Sequence, residues 1–230
     1  MENLEKISSQ KKNAEKKPKA ISQLRKPDDM TLEEWQVALR KTFSQTQKFR
    51  LKPLGTPTAK DNYFPHFLIT NKTNKSSYNV EIFGTKPFEN YCSCPDFSIN
   101  TLGTCKHIEF ALRRLLRNPK LKEQLSDGWS PKYSQIVLRY GPQRAILLKP
   151  GRECPQDLLK MSKKYFDASF VMKNDAFSQF DEFIHSVKKT GHDLKLREDA
   201  ISYVAQVRDK DFFKKAGLTI YFQKGLNRRN

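Results

Sequence analysis

The chain has 230 residues and a formal net charge of +18, from 43 Lys and Arg against 25 Asp and Glu. That length suits one or two small domains, and the charge favours a polyanionic partner such as nucleic acid, although a solvated basic surface, an acidic membrane surface or ribosomal RNA fits the same number. No stretch has the apolar length that crossing a bilayer requires, and the polar N-terminus lacks the apolar segment of a secretory signal, so the expectation is a cytoplasmic protein with reduced thiols and no membrane partner.

Residues 1–27 are lysine-rich around the run KKNAEKKPK and read as a disordered basic arm, either a solubilising tail or a contact for nucleic acid. Thr31 and Glu34 form a capping-box pattern ahead of a helix whose apolar stripe is Trp35, Ala38, Leu39 and Phe43. Pro53, Gly55 and Pro57 close that region. Phe67 to Thr70 reads as a strand, Asn71 to Ser77 as a polar turn, and Tyr78, Val80 and Ile82 alternate with Asn79 and Glu81 as a half-buried strand.

A third strand carries Tyr91, Cys92 and Cys94. Ile108, Ala111, Leu112, Leu115 and Leu116 then recur at helical spacing, with Thr104 as the expected N-cap and Asn118-Pro119 as the stop. Leu121 to Trp129 suits a short second helix. Gln135 to Tyr140 and Arg144 to Leu148 flank Gly141-Pro142 as a hairpin. Helices follow over Gln156 to Phe166, through Phe177, Phe180, Phe183, Ile184 and Val187 up to Gly191, and over Glu198 to Lys215 with Ile201, Val204 and Val207 inward. The last residues, LTIYFQKGLNRRN, read as a short apolar run with a ragged basic end.

The fold class is therefore α+β: a small antiparallel sheet and a helix around one site, then a β-hairpin and a helical C-terminal region. The expected division is an arm over 1–27, a domain over 28–120 and an α+β region over 121–230.

The densest chemical signal lies at the join between the sheet and its helix. Cys92, Cys94, Cys105 and His107 follow the pattern C-x-C-x10-C-x-H. Three thiolates and one imidazole complete a tetrahedral set for Zn²⁺ and leave no position open for water, so the site is structural. In an extended strand Cys92 and Cys94 point to one face. Cys105 and His107 open the helix, where the partial positive charge favours a thiolate. Pro95 and Gly103 suit the returning loop. Cys154 stands apart and is left out of the site.

The segment YCSCPDFSINTLGTCKHIEFALRRLL, Tyr91 to Leu116, resembles the SWIM-type zinc finger, and most of all the SWIM domain at the front of bacterial SNF2-family helicases. TLEEWQVALRKTF (Thr31 to Phe43), YSQIVLRYG (Tyr133 to Gly141) and DAISYVAQVRD (Asp199 to Asp209) are similar to segments flanking the finger in those proteins. The resemblance covers most of residues 28 to 212. It implies a non-catalytic front region whose partners are DNA, other proteins or an SNF2-type ATPase motor. In the family the motor begins shortly after the last of these segments. The chain stops about there, so a truncated or stand-alone front region is expected.

Catalytic signatures are absent from the sequence. No G-x-x-x-x-G-K-[ST] loop is present to cradle phosphates. Asp181-Glu182-Phe183-Ile184-His185 has one residue too many for a DEAH box and lies within an amphipathic helix. His66, His185 and His192 are scattered. The expectation is thus a zinc-binding module without catalysis or a small-molecule substrate, which binds nucleic acid, most of all DNA. The alternative is a protein-interaction module that docks a helicase motor or another partner. Arg113, Arg114 and Arg117, opposite the leucine stripe, are the candidate phosphate contacts, or equally an ordinary solvated face.

Overall fold

A computed structural model describes residues 21–57, 63–141 and 143–215. Most of the basic arm, Pro142 of the hairpin turn and the terminal apolar run lie outside the described residues.

Helix α1 spans Leu32–Thr46 and starts as its sequence dictates. The Thr31 hydroxyl accepts from the Glu34 amide at 3.2 Å, and the Glu34 carboxylate accepts from the Thr31 amide at 2.8 Å. Two of the amides that open a helix are thereby satisfied. The Trp35 indole donates to the Ser22 carbonyl and fixes the entering chain.

Four antiparallel strands follow in spatial order β1-β2-β3-β4: Phe49–Pro53, His66–Asn71, Ser77–Glu81 and Tyr91–Cys92. Their inner face is set by alternation. Phe67 and Ile69 of β2 and Val80 of β3 are buried, while their sequence neighbours are not. Strand β1 was not expected from the sequence. It is an edge strand, which tolerates Pro53.

Three helices continue the chain: α2 at Pro95–Ile99, α3 at Lys106–Leu115 and α4 at Pro119–Ser126. Helix α3 packs on α1 and carries its buried stripe, Ile108 and Ala111, toward the sheet. The expected domain boundary at residue 120 falls inside α4, whose Leu125 is fully buried.

The hairpin forms from β5, Ser134–Arg139, and β6, Ala145–Lys149. A third strand joins it: β7, Leu194–Leu196, pairs in parallel with β5. Strand β5 is therefore central, and five of its six residues are buried. Helix α5 covers Gln156–Tyr165, and a 3-10 turn over Asn174–Gln179 feeds α6, Phe180–Lys189. Gly191 beyond it has φ +72°, the left-handed conformation expected after a helix end.

Helix α7, Glu198–Lys215, forms with a different inward face. Ala200 and Val204 are buried and Val207 half-buried, but Ile201 is 44% exposed. The face of α7 that lies against β5 carries the buried Ala200 and Val204.

One buried core runs through both sheets, from Ile69 and Val80 to Ile136, Ile146 and Phe183. Polar bridges also join them. Glu81 of β3 pairs with Arg197, and His66 Nε2 lies 3.1 Å from the Tyr133 hydroxyl. No helix of the described residues is long and apolar enough to cross a membrane.

Candidate metal centre

Cys92, Cys94, Cys105 and His107 come together, all buried, with their donor atoms within 4.8 Å of one another. His107 Nδ1 lies 3.7 Å from Cys92 Sγ and 3.9 Å from Cys105 Sγ. Ligands at ordinary zinc bond lengths in a tetrahedron stand roughly 3.6 Å apart, so the donor set fits a single zinc ion. The four side chains are placed to bind zinc.

Each donor is positioned by a separate piece of local structure. Cys92 closes β4 opposite Val80. Ser93 extends the pairing by one residue: its amide donates to the Asn79 carbonyl at 2.9 Å, and its hydroxyl accepts from the Asn79 amide at 3.0 Å.

Cys94 departs from the strand expected of it. It is the N-cap of α2, where its sulfur accepts from the Phe97 amide at 3.4 Å. Pro95 at the first helical position, with its φ fixed for a helix, turns the chain there. The short helix is held from outside. Asp96 accepts two hydrogen bonds from Arg40 of α1, and Phe97 lies edge-on to Tyr91 and Tyr140.

The returning loop is fixed by Asn100 and Gly103. The Asn100 side chain accepts from the Leu102 amide and donates to the Thr104 carbonyl. Gly103 has φ +67°, and a Cβ there would lie 2.7 Å from the Phe88 backbone nitrogen. This loop delivers Cys105, which takes the N-cap position expected of Thr104. The Thr104 hydroxyl instead donates to Glu109 at 2.8 Å. With the cap one residue later, His107 sits in the first turn of α3. Its ring packs edge-on to Phe49 at 5.2 Å and against Tyr78 at 4.8 Å. Phe49 gave no signal in the sequence, because its role depends on the unforeseen β1.

The electrostatics call for a cation. Burial pushes the thiols of Cys92 and Cys105 up. Hydrogen bonds from Cys105 and Cys92 hold Cys94 down. Ionising all three thiols in so enclosed a place is favourable only around a metal, whose charge deprotonates its ligands.

The three candidate arginines, Arg113 and Arg114 in the last turn of α3 and Arg117 two residues past its end, separate in space. Arg113 lies along the helix interface and donates to the Ser44 carbonyl of α1 at 2.8 Å. Arg114 and Arg117 are exposed, and among the described residues neither has a carboxylate partner. Burial, then the charges of Arg117 and Arg114, lower the Arg113 pKa, so the three cations share one local field.

Two of the scattered histidines, His66 and His192, acquire partners. His66 joins Tyr133 and Glu81. His192 Nε2 lies 2.8 Å from Ser134 Oγ, but Ser134 is fully buried and its hydroxyl also accepts from the Gly151 amide. On α6, which holds the segment Asp181 to His185, Asp181 pairs with Arg208 and Glu182 with Lys164. Cys154 stays outside the cluster.

Residues 76–116 match the family model of the SWIM zinc finger. The match takes in all four ligand candidates and extends from β3 to the end of α3. It covers less than half of the chain and so describes this segment. No curated protein matches the chain, and no solved structure does. A SWIM zinc finger is a zinc-binding module, and that class is the one the geometry and the family model define together.

Proposed function

We propose that the chain is a zinc-organised nucleic-acid-binding module, in which Cys92, Cys94, Cys105 and His107 hold one Zn²⁺ and the exposed end of α3 meets phosphates. A structural zinc of this type supplies on the order of 10 kcal/mol to folding at neutral pH. It ties β4, α2 and α3 together, and the last turn of α3 with the residues just past it bears the basic groups.

The observation that carries the reading is the pair Arg114, in the last turn of the helix that begins at two of the zinc ligands, and Arg117, two residues past its end, both solvent-facing and without a carboxylate partner among the described residues. The formal charge of +18 supplies long-range attraction to a polyanion. Nothing in the site resembles a base-reading helix, so phosphate contacts dominate, and duplex DNA is the first partner to test. The likeness of the flanking segments makes an SNF2-type ATPase motor the candidate protein partner, and the three-part division at residues 27 and 120 belongs to the same reading.

The test compares zinc-loaded and chelator-stripped protein for binding to a labelled duplex at low salt. Zinc-loaded protein binds more tightly, and the stripped form keeps only the share of the basic arm. Equal binding by both forms removes the zinc finger from the interface. No binding by either leaves the interaction-module reading in its place.

A further inference from the structure

Between the first sheet and the hairpin lies a cavity of about 260 Å³ that the zinc site does not touch. That volume is just below the range of roughly 300–1,000 Å³ usual for small-molecule sites, and it leaves room for a single heterocycle. Phe83 and Trp129 form one wall, their rings nearly parallel at 17° with centroids 6.1 Å apart. Pro131 and Pro150 add apolar surface.

Lys149, the last residue of β6, also lines this cavity. Its ammonium donates to the Glu89 backbone carbonyl at 3.3 Å and lies 5.8 Å from the Phe83 ring centroid. Those are its hydrogen-bond and ring contacts among the described residues, and an ammonium has three donors. Burial, with the nearby Arg197 charge, pulls Lys149 down to about 8, although the charges of Glu81 and Glu89 act the other way. A half-buried ammonium with spare donors gains from an acceptor that enters beside it.

The Glu89 carboxylate shares the cavity, where one oxygen accepts from the Lys86 amide at 2.8 Å. Asp127 lines the cavity as a second carboxylate, so the acidic groups outweigh the Lys149 charge and the local balance does not select an anion. It selects a neutral planar ligand with a carbonyl acceptor for Lys149 and an exocyclic amine whose two N–H groups serve the carboxylates. Cytosine and guanine carry both groups, whereas thymine offers a single imide N–H and no exocyclic amine.

We propose that this cavity takes one unstacked cytosine or guanine of a single-stranded nucleic acid, with Lys149 donating to the base carbonyl and Glu89 accepting from the exocyclic amine. Single strands offer bases with free edges, and proteins that bind them pair such recognition with aromatic walls. The proposal rests on the nucleic-acid reading above and adds a base preference to it.

Trp129 is one of two tryptophans, so Trp35→Phe leaves it as the sole tryptophan, excited selectively over the tyrosines. In that background, cytidine and thymidine are titrated separately, with and without Lys149→Met. In parallel, anisotropy compares oligo-deoxycytidine with oligo-thymidine of equal length. Cytidine shifts the Trp129 emission, thymidine does not, and Lys149→Met removes the shift. The oligonucleotide arm favours deoxycytidine by about tenfold, a preference of the size that a well-placed base contact provides and that Lys149→Met abolishes. Equal responses to the two nucleosides, or responses unchanged by Lys149→Met, overturn the proposal even where both oligonucleotides bind. Nucleoside discrimination with no oligonucleotide binding supports the base site and refutes the nucleic-acid reading instead. Zinc content of the variant, equal to wild type, confirms that it has folded.

Discussion

The guanidinium of Arg113 donates to the carbonyl of Ser44 at 2.8 Å, across the interface between α3 and α1. Ser44 lies in the last turn of α1, where carbonyls have no partner inside the helix. Arg113 supplies that partner, which separates it from its neighbours Arg114 and Arg117. Arg113→Gln therefore lowers stability by about 1–2 kcal/mol through a lost charged hydrogen bond. Arg114→Gln changes stability by no more than about 0.5 kcal/mol, as for other surface substitutions. Urea unfolding of the two variants distinguishes them, and equal stabilities would remove Arg113 from the interface.

Metal content tests the four ligands one by one. Purified protein carries close to one zinc per chain. Cys94→Ser loses it, and Cys154→Ser retains it. Phe49→Ala keeps all four donors but frees the His107 ring, so zinc affinity falls by about tenfold, as when the support of a ligand is removed. Competition with a chromophoric chelator measures this, and unchanged affinity would show that Phe49 packs against His107 without orienting it.

Gly103 holds φ +67° with the Phe88 backbone against it. Gly103→Ala adds both conformational strain and a backbone collision, so the cost exceeds about 1 kcal/mol. Because this residue precedes Cys105 by two positions, the same substitution weakens zinc binding. Wild-type stability and zinc affinity in Gly103→Ala would show that the loop from Asn100 to Thr104 can relax without moving its cysteine.

Glu81 ties the sheets together and gives a pH signature. Burial raises its pKa, but the hydrogen bond from His66 and the charge of Arg197 outweigh that and leave it below the ordinary value of 4.5. A carboxylate with a depressed folded pKa contributes stability that is complete above 4.5 and is lost as pH falls through the lowered value. The melting-temperature gap between wild type and Glu81→Gln is therefore constant near neutrality and narrows below pH 4.5. A gap that does not change with pH would mean that the carboxylate charge adds nothing.

What the sequence makes legible is local. The capping box at Thr31 and Glu34, the alternation in β2 and β3, the hairpin, and the helical stripe ending at Gly191 each depend on near neighbours, and each forms. The four zinc donors were also legible, because their spacing alone specifies the coordination set. Longer-range features were hidden. Strand β7 has three residues and exists only because it pairs in parallel with β5, some sixty positions earlier. Strand β1 is recognisable only beside β2. The inward face of α7 takes Ala200 and leaves the larger Ile201 44% exposed, which hydrophobicity alone does not reveal. Alternate strand positions suffice to aim the sulfurs of Cys92 and Cys94, yet Pro95 makes Cys94 a helix cap with the same aim. Separating Arg113 from Arg114 and Arg117 requires knowing which face of α3 meets α1.

The salt dependence of duplex binding, measured by anisotropy for wild type and for Arg114→Gln/Arg117→Gln, tests the central claim most directly. Wild-type affinity falls steeply with salt and depends little on duplex sequence, because released counterions drive the association. The double variant binds more weakly on every duplex, and its salt slope flattens by about two phosphate contacts, with zinc content unchanged. An identical slope and affinity in the double variant would contradict the account and take the zinc-bearing helix out of contact with nucleic acid.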